Sequence, residues 1–273
     1  MKSLILLLVS AFSSLAQQAG TNTPPNPREV VFASEGRELH GFLYCPEGKG
    51  PFPAIQWNHG SEKLPGSRPD LAAFYLSHGF VFFVPHRHGH GRSSGDYIVD
   101  LQARAQHELN DRAAVHQRII ELHELYLKDT LAAAAWLHSQ PFVITNRIFM
   151  SGVSYGGIQT LLAAEADPGF SGFVAFAPAA MSWAGNPELR LRLVSAVHKA
   201  AKPVFVLQAS NDYNLGPAQV LGPELKKKAG LNRARIYPEY GATHQDGHGG
   251  FACRGTNLWG KDVITFLADC AEK

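Results

Sequence analysis

Arg147–Ala166 reads RIFMSGVSYGGIQTLLAAEA: a short apolar run, a serine among glycines, then a segment rich in alanine and leucine. A brief continuous apolar run bounded by glycine predicts a strand buried on both faces, and the segment that follows predicts a helix. Gly152-Val153-Ser154-Tyr155-Gly156 stands at the joint and fits G-x-S-x-G. That pattern exposes a serine hydroxyl on a tight strand-to-helix turn, where flanking glycines relieve backbone crowding. The helix N-terminus that follows favours developing negative charge. Strand, turn and helix in this order form the unit of a parallel sheet, and Ser154 is its candidate nucleophile.

The same rhythm extends in both directions. EVVFAS and LHGFLYCP predict two strands joined around Glu35-Gly36-Arg37, a hairpin. PAIQWNHG and GFVFFVPHRHG are further apolar runs, separated by a helix over residues 69–78 that closes at Gly79. GFVAFAPAA, KPVFVLQASND and RARIYPEYG follow Ser154 as three more strands, with helices over 158–166, 187–199 and 259–269. Continuous apolar strands alternating with helices imply a mostly parallel central sheet covered by helices on both faces. Ligands in such sheets bind at the carboxyl ends of the strands.

Residues 97–137 break the rhythm, being helix-like for longer than a simple crossover requires. Two helices are expected, the later one, LKDTLAAAAWLHS, being the crossover. The polar earlier part, a helical insertion around residues 97–130, either covers the mouth of the site or forms a solvated surface helix.

The N-terminus carries Lys2, an apolar core from Leu4 to Leu15, and Ser14-Leu15-Ala16 before Gln17. This is the layout of a secretory signal peptide over residues 1–16. A proline-rich leader over 17–28 and one α/β domain over 29–273 are expected to follow, with a secreted or periplasmic location. A net charge of +2 with 18% charged residues gives no reason to expect nucleic acid or an anionic membrane as partner. Lys226–Lys228 reads as a solvated helix face. Cys45, Cys253 and Cys270 permit one disulfide in an oxidising compartment, Cys253–Cys270 being the first pair to test. Their scatter argues against a structural zinc site.

A serine needs a base, and the base needs an orienting acid. Asp212 lies just beyond PVFVLQASN, where a strand end would present it; an ordinary Asn-Asp turn is the plainer reading. YGATHQDGHGGF offers two candidate bases, His244 and His248. His248, with glycine on both sides, is favoured; His244 is the alternative, and Asp246 reads as a loop carboxylate. An oxyanion needs backbone N–H donors. Tyr155, following the nucleophile, should supply one, and Ser61 in WNHGSEK the other, with His59 and Gly60 shaping the turn.

Taken in order, NHGSE, PHRHGHGRSSG, GVSYGG, Asp212 and GHGGF resemble the α/β-hydrolase superfamily. The nearest likeness is to the dienelactone hydrolase-like group, which carries an R-G-x-G-x-S segment similar to RHGHGRSSG. GVSYGG also resembles the elbow of prolyl oligopeptidase-type peptidases, whose propeller domain has no counterpart in this sequence. The resemblance implies an α/β-hydrolase fold, a Ser-His-Asp triad and no cofactor. Dienelactone hydrolases proper use cysteine where this chain has Ser154, which points to ester chemistry in general.

The expected activity is therefore cleavage of a small-molecule carboxylic ester through an acyl-enzyme. A small exopeptidase or amidase is the enzymatic alternative, and a catalytically silent hydrolase-fold binding protein the non-enzymatic one. A rival use of His86, His88 and His90 is a transition-metal site, if alternate residues at a strand end share one face.

Overall fold

The computed structural model describes residues 26–272. The expected signal peptide and the first part of the expected leader lie outside the described residues.

Eight strands form one sheet: β1 (Arg28–Ser34), β2 (Arg37–Tyr44), β3 (Phe52–Asn58), β4 (Val81–Pro85), β5 (Val143–Val153), β6 (Gly172–Phe176), β7 (Val204–Ala209) and β8 (Arg233–Tyr237). Their order is β1-β2-β4-β3-β5-β6-β7-β8. The first two run antiparallel and every pair from β4 to β8 is parallel. β1 and β2 meet through Glu35-Gly36, with Ser34 opposite Arg37. Both turn residues have positive φ, +47° and +75°. This is the backbone twist that two-residue hairpins favour. β4, β6 and β7 are buried along their whole length, as the unbroken apolar runs predict. β8 closes the opposite edge and carries Arg233 and Arg235, charges that discourage pairing with another sheet.

Helices cover both faces. On one lie α3 (Arg112–His138), α4 (Tyr155–Ala166), α5 (Pro187–Lys199) and α6 (Gly216–Lys226), packed over Phe173, Val204 and Val206. On the other lie α1 (Pro69–Ser77), the short α7 (Phe251–Arg254) and α8 (Thr256–Ala271), whose Trp259, Val263 and Phe266 pack with Phe176 and Phe205. Each fully buried side chain of this size contributes about 1.5–3 kcal/mol. No helix among the described residues is long and apolar enough to cross a membrane.

The two helices expected over residues 97–137 are present, but the break between them falls earlier than expected. α2 (Ile98–Glu108) stands alone, and the chain then turns through Leu109–Asp111. Asp111 caps α3 by accepting from the Ala114 N–H at 2.9 Å. From there α3 runs 27 residues without interruption. No glycine or proline stands between Arg112 and His138 to stop it, so the polar stretch and the later crossover segment form a single helix.

The three cysteines form no disulfide. Cys253 and Cys270 are buried in the apolar layer of α7 and α8 but are not bridged to each other. The disulfide expectation is corrected accordingly.

Candidate active site

β3 and β5 are neighbours whose following connections leave in opposite directions: β3 continues through α1 to β4, and β5 through α4 to β6. A crevice opens at such a switch point beyond the carboxyl strand ends. Ser154 follows β5 and Ser61 follows β3, so both lie at this crevice.

Ser154 has φ 56° and ψ −115°, a conformation that side-chain-bearing residues rarely adopt. Such a residue holds about 1–3 kcal/mol of strain and persists only where its surroundings enforce it. The glycines here serve close approach rather than positive φ. A Cβ on Gly156 would lie 2.0 Å from the Asn58 carbonyl oxygen, and one on Gly152 would lie 2.5 Å from the Gly156 carbonyl oxygen. Asn58 ties the turn down by donating to Thr160 Oγ1 at 3.1 Å, while that hydroxyl donates to the Gly156 carbonyl at 2.8 Å.

Asp212 and His248 meet on the far side of the crevice. His248 Nδ1 donates to Asp212 Oδ1 at 2.8 Å, and both side chains are buried. Asp212 is fixed by two further donors, the Tyr213 N–H to Oδ1 at 2.7 Å and Gln208 Nε2 to Oδ2 at 2.8 Å. Gln208 is a lone polar residue in the apolar β7, and its own oxygen accepts from the Ala218 N–H at 2.8 Å. That isolated glutamine in VFVLQA was the sequence signal for a carboxylate support, and the motif reading passed over it. His248 sits in a π-helical turn over Asp246–Gly250 that runs on into α7, where a loop was expected. Single π-turns recur at functional sites. Nε2 of His248 is buried without a hydrogen-bond partner, and the residue lines the same cavity as Ser154.

The alternative base, His244, is exposed and directs Nδ1 to the Asn211 carbonyl at 2.9 Å rather than to Asp212. Asp246 holds the turn together by accepting from Thr243 Oγ1 at 2.7 Å and from the Thr243 and Ala242 N–H groups. An imidazole with one nitrogen on a carboxylate and the other facing a hydroxyl's cavity is equipped for general-base chemistry. Tyr155 opens α4, and its N–H, at the first helical position, has no intrahelical acceptor. Ser61 borders the cavities on both sides of Ser154 and accepts at its carbonyl from Tyr97 Oη.

Those two cavities differ. One, of about 480 Å³, is walled by α2 and α3 through Ile98, Gln102, Val115, Ile119 and His123. The other, about 740 Å³, contains His248, Glu62, Arg68 and Arg254. The helical insertion is thus a cavity wall, a role its polar sequence left undecided. Burial and the nearby Arg87 hold His123 down at about 3, so it is neutral.

β4 ends at Pro85 and positive-φ turns at Gly89 and Gly91 take over, so His86 and His90 pack against the His59 ring while His88 turns to Asp129, and no cluster among the described residues could hold a metal. His86 Nε2 bonds the Gly66 carbonyl, His90 Nδ1 bonds the Glu62 carbonyl, and His88 Nδ1 pairs with buried Asp129. The premise of a metal site, alternate projection from a strand end, is therefore corrected. The segment packs against the loop after β3.

Residues 35–188, more than half of the chain, match the model of the X-Pro dipeptidyl-peptidase (S15) family. The chain belongs to that family. Its fold is of the α/β-hydrolase type, as the order of its motifs implied. The family match spans Ser61, Arg87 and Ser154 and ends before Asp212. Among curated proteins, the polyketide transferase grgF of a Penicillium species is 26% identical over 205 residues. The match covers 72% of this chain and 62% of that relative, so the chain spans about 62% of the relative's length.

Three solved structures show the same fold. The Pyrococcus horikoshii acylaminoacyl peptidase is 19% identical with a TM-score of 0.65, over 90% of this chain and 42% of that one. The α/β-hydrolase GrgF is 15% identical with a TM-score of 0.65, over 91% of this chain and all of that one. A Klebsiella pneumoniae protein described as a dienelactone hydrolase is 16% identical with a TM-score of 0.61, over 89% of this chain and 98% of that one.

Proposed function

We propose that the chain is a secreted serine hydrolase that cleaves carboxylic esters through Ser154, His248 and Asp212. Ser154 Oγ attacks the ester carbonyl while His248 Nε2 takes its proton. Asp212 holds the imidazole in the Nδ1–H tautomer and stabilises the imidazolium. The Tyr155 and Ser61 N–H groups receive the oxyanion. His248 then returns the proton to the leaving oxygen, and water releases the acyl group by the same steps in reverse. No cofactor enters this sequence. The observation that carries the reading is the Asp212–His248 bond of 2.8 Å, with Nε2 unpartnered in the cavity that Ser154 also lines.

The proton must reach the leaving atom, so the leaving group occupies the cavity that His248 lines and the acyl group the one walled by α2 and α3. A second reading, a small exopeptidase or amidase, draws support from the S15 family match. The acyl cavity speaks for esters. None of its lining residues is Asp or Glu, so the described residues there offer no carboxylate to receive a substrate's α-ammonium group. Comparing a series of p-nitrophenyl acyl esters with aminoacyl- and dipeptidyl-p-nitroanilides tests this. Higher kcat/KM on the esters is expected, and faster turnover of free-amine anilides would overturn the preference. Secretion is tested by N-terminal sequencing of protein recovered outside the cytoplasm, with Gln17 expected first.

A further inference from the structure

Arg87 follows β4 and is buried, yet among the described residues no carboxylate contacts its guanidinium, whose Nη2 lies 2.9 Å from His59 Nδ1. Nη2 donates to the His59 carbonyl at 2.7 Å and to the Gly60 carbonyl at 2.8 Å. Nε and Nη1 are buried without partners, and Cζ stands 4.4 Å from the centre of the Tyr155 ring. Burying a cation with two donor groups unused is costly. A loop that needed only a tie would be served as well by a neutral donor.

The acceptor is informative. The Gly60 carbonyl belongs to the same peptide group as the Ser61 N–H. His59 Nδ1 lies 2.8 Å from that oxygen, and His59 Nε2 lies 3.4 Å from the Arg87 N–H. In the Nδ1–H tautomer the ring donates to Gly60 and Nε2 accepts from the Arg87 amide, while Arg87 Nη2, which also lies 2.9 Å from Nδ1, serves the two carbonyls. Burial and Arg87 hold His59 well below its ordinary value, consistent with a neutral ring. The Gly60 oxygen accepts from the Arg87 cation, and in that tautomer from the His59 ring as well. Donors on a peptide oxygen draw charge from the group and strengthen its N–H as a donor. Around this point the Gly91 N–H bonds the Lys63 carbonyl at 2.8 Å, His90 the Glu62 carbonyl at 2.9 Å and His86 the Gly66 carbonyl at 3.0 Å.

We propose that Arg87 is a positioning residue for catalysis: it orients and polarises the Gly60–Ser61 peptide, whose N–H receives the oxyanion, and the histidine-rich segment clamps that loop in place. The inference rests on the reading of Ser154 as nucleophile.

The test uses Arg87→Lys and Arg87→Met in the full chain, with active sites counted by fluorophosphonate titration so that unfolded protein does not enter kcat. Loss of a whole oxyanion donor costs about 10²–10³ in kcat, and a residue acting through one should cost about 10–100-fold. The expected result is that fall in kcat per titrated site with KM within about twofold, larger for Met than for Lys. A second readout compares oxoester with thionoester substrates, because sulfur accepts hydrogen bonds weakly. The wild-type preference for the oxoester should shrink in both variants, which a merely structural role would not produce. If neither variant folds, His59→Phe, which removes the ring nitrogen beside the Gly60 oxygen, is read by the same ratio. Wild-type kcat per titrated site, or an unchanged oxoester preference in the variants that fold, would overturn the proposal while leaving Ser154 as nucleophile. Failure of Ser154 to titrate in the wild type would instead remove the reading on which it rests.

Discussion

At the scale of single residues the elbow is tightest at Gly156. Its missing Cβ leaves room for the Asn58 and His59 carbonyls, which would lie 2.0 and 2.4 Å from an added methyl. Gly156→Ala must displace either the elbow or the loop after β3, and such overpacking costs about 1–3 kcal/mol. A Tm lowered by several degrees and a kcat reduced at least about tenfold are expected, read by calorimetry and ester hydrolysis. Asp212→Asn keeps the shape but puts the wrong group beside His248 Nδ1. It should leave Tm nearly unchanged and lower kcat by about 10³–10⁴-fold; a loss below about tenfold would contradict the orienting role of Asp212. Ser154 and its glycines were legible because their demands are local. The supports of Asp212 and Ser61 were not. Gln208 stood out as the one polar residue of an apolar strand but its partner four positions on was not marked, and Arg87 reaches a carbonyl twenty-seven positions away, a contact no linear pattern marks.

At the scale of elements, the segment from His86 to Gly91 shows how a motif can be read correctly as a unit and wrongly in its parts. Its resemblance marked a connection after a strand. The expectation that its histidines share a face required an extended backbone, which Gly89 and Gly91 end. A Cβ on Gly89 would lie 2.0 Å from the Asp96 carbonyl oxygen, and one on Gly91 2.1 Å from the His86 ring. Burial depresses His86 to about 4 and His90 to about 3, with Arg87 reinforcing both. His123 on α3 lies at about 3 for the same reasons. An unfolded histidine titrates near 6.5, so on acidification the unfolded chain takes up these protons first. Stability is unaffected above about pH 6.5 and falls as pH drops from there toward 3, by up to about 1.4 kcal/mol per unit for each histidine. Urea unfolding at pH 7 and pH 4.5 should give a clearly lower midpoint at 4.5; equal midpoints would mean that these rings are not held neutral. The length of α3 was misjudged for a related reason. A change from polar to apolar composition near Lys128 suggested a boundary, whereas helices end at caps and breakers, and Asp111 is the residue that caps.

At the scale of the whole molecule, the alternation of apolar strands and helices was sufficient for the sheet, its parallel sense and its covered faces. It did not convey that α2 and α3 lean over the crevice and divide it at Ser154 into two cavities. Their polar residues are those of a solvated surface, and only packing shows that Ile98, Val115 and Ile119 turn inward. Ile119→Trp should fill part of the 480 Å³ acyl side. KM for octanoyl and aryl esters is expected to rise at least about tenfold while acetyl ester hydrolysis is preserved, since a lost pocket acts on binding. Unchanged chain-length preference would place the acyl group elsewhere. The central claim, that Ser154 attacks and carries the acyl group, is tested most directly by mass spectrometry of the intact protein after fluorophosphonate treatment. The account predicts one adduct, on the peptide containing Ser154, formed in step with loss of ester hydrolysis and absent from Ser154→Ala. Ester hydrolysis that persists in Ser154→Ala, or an adduct on another residue, would contradict it.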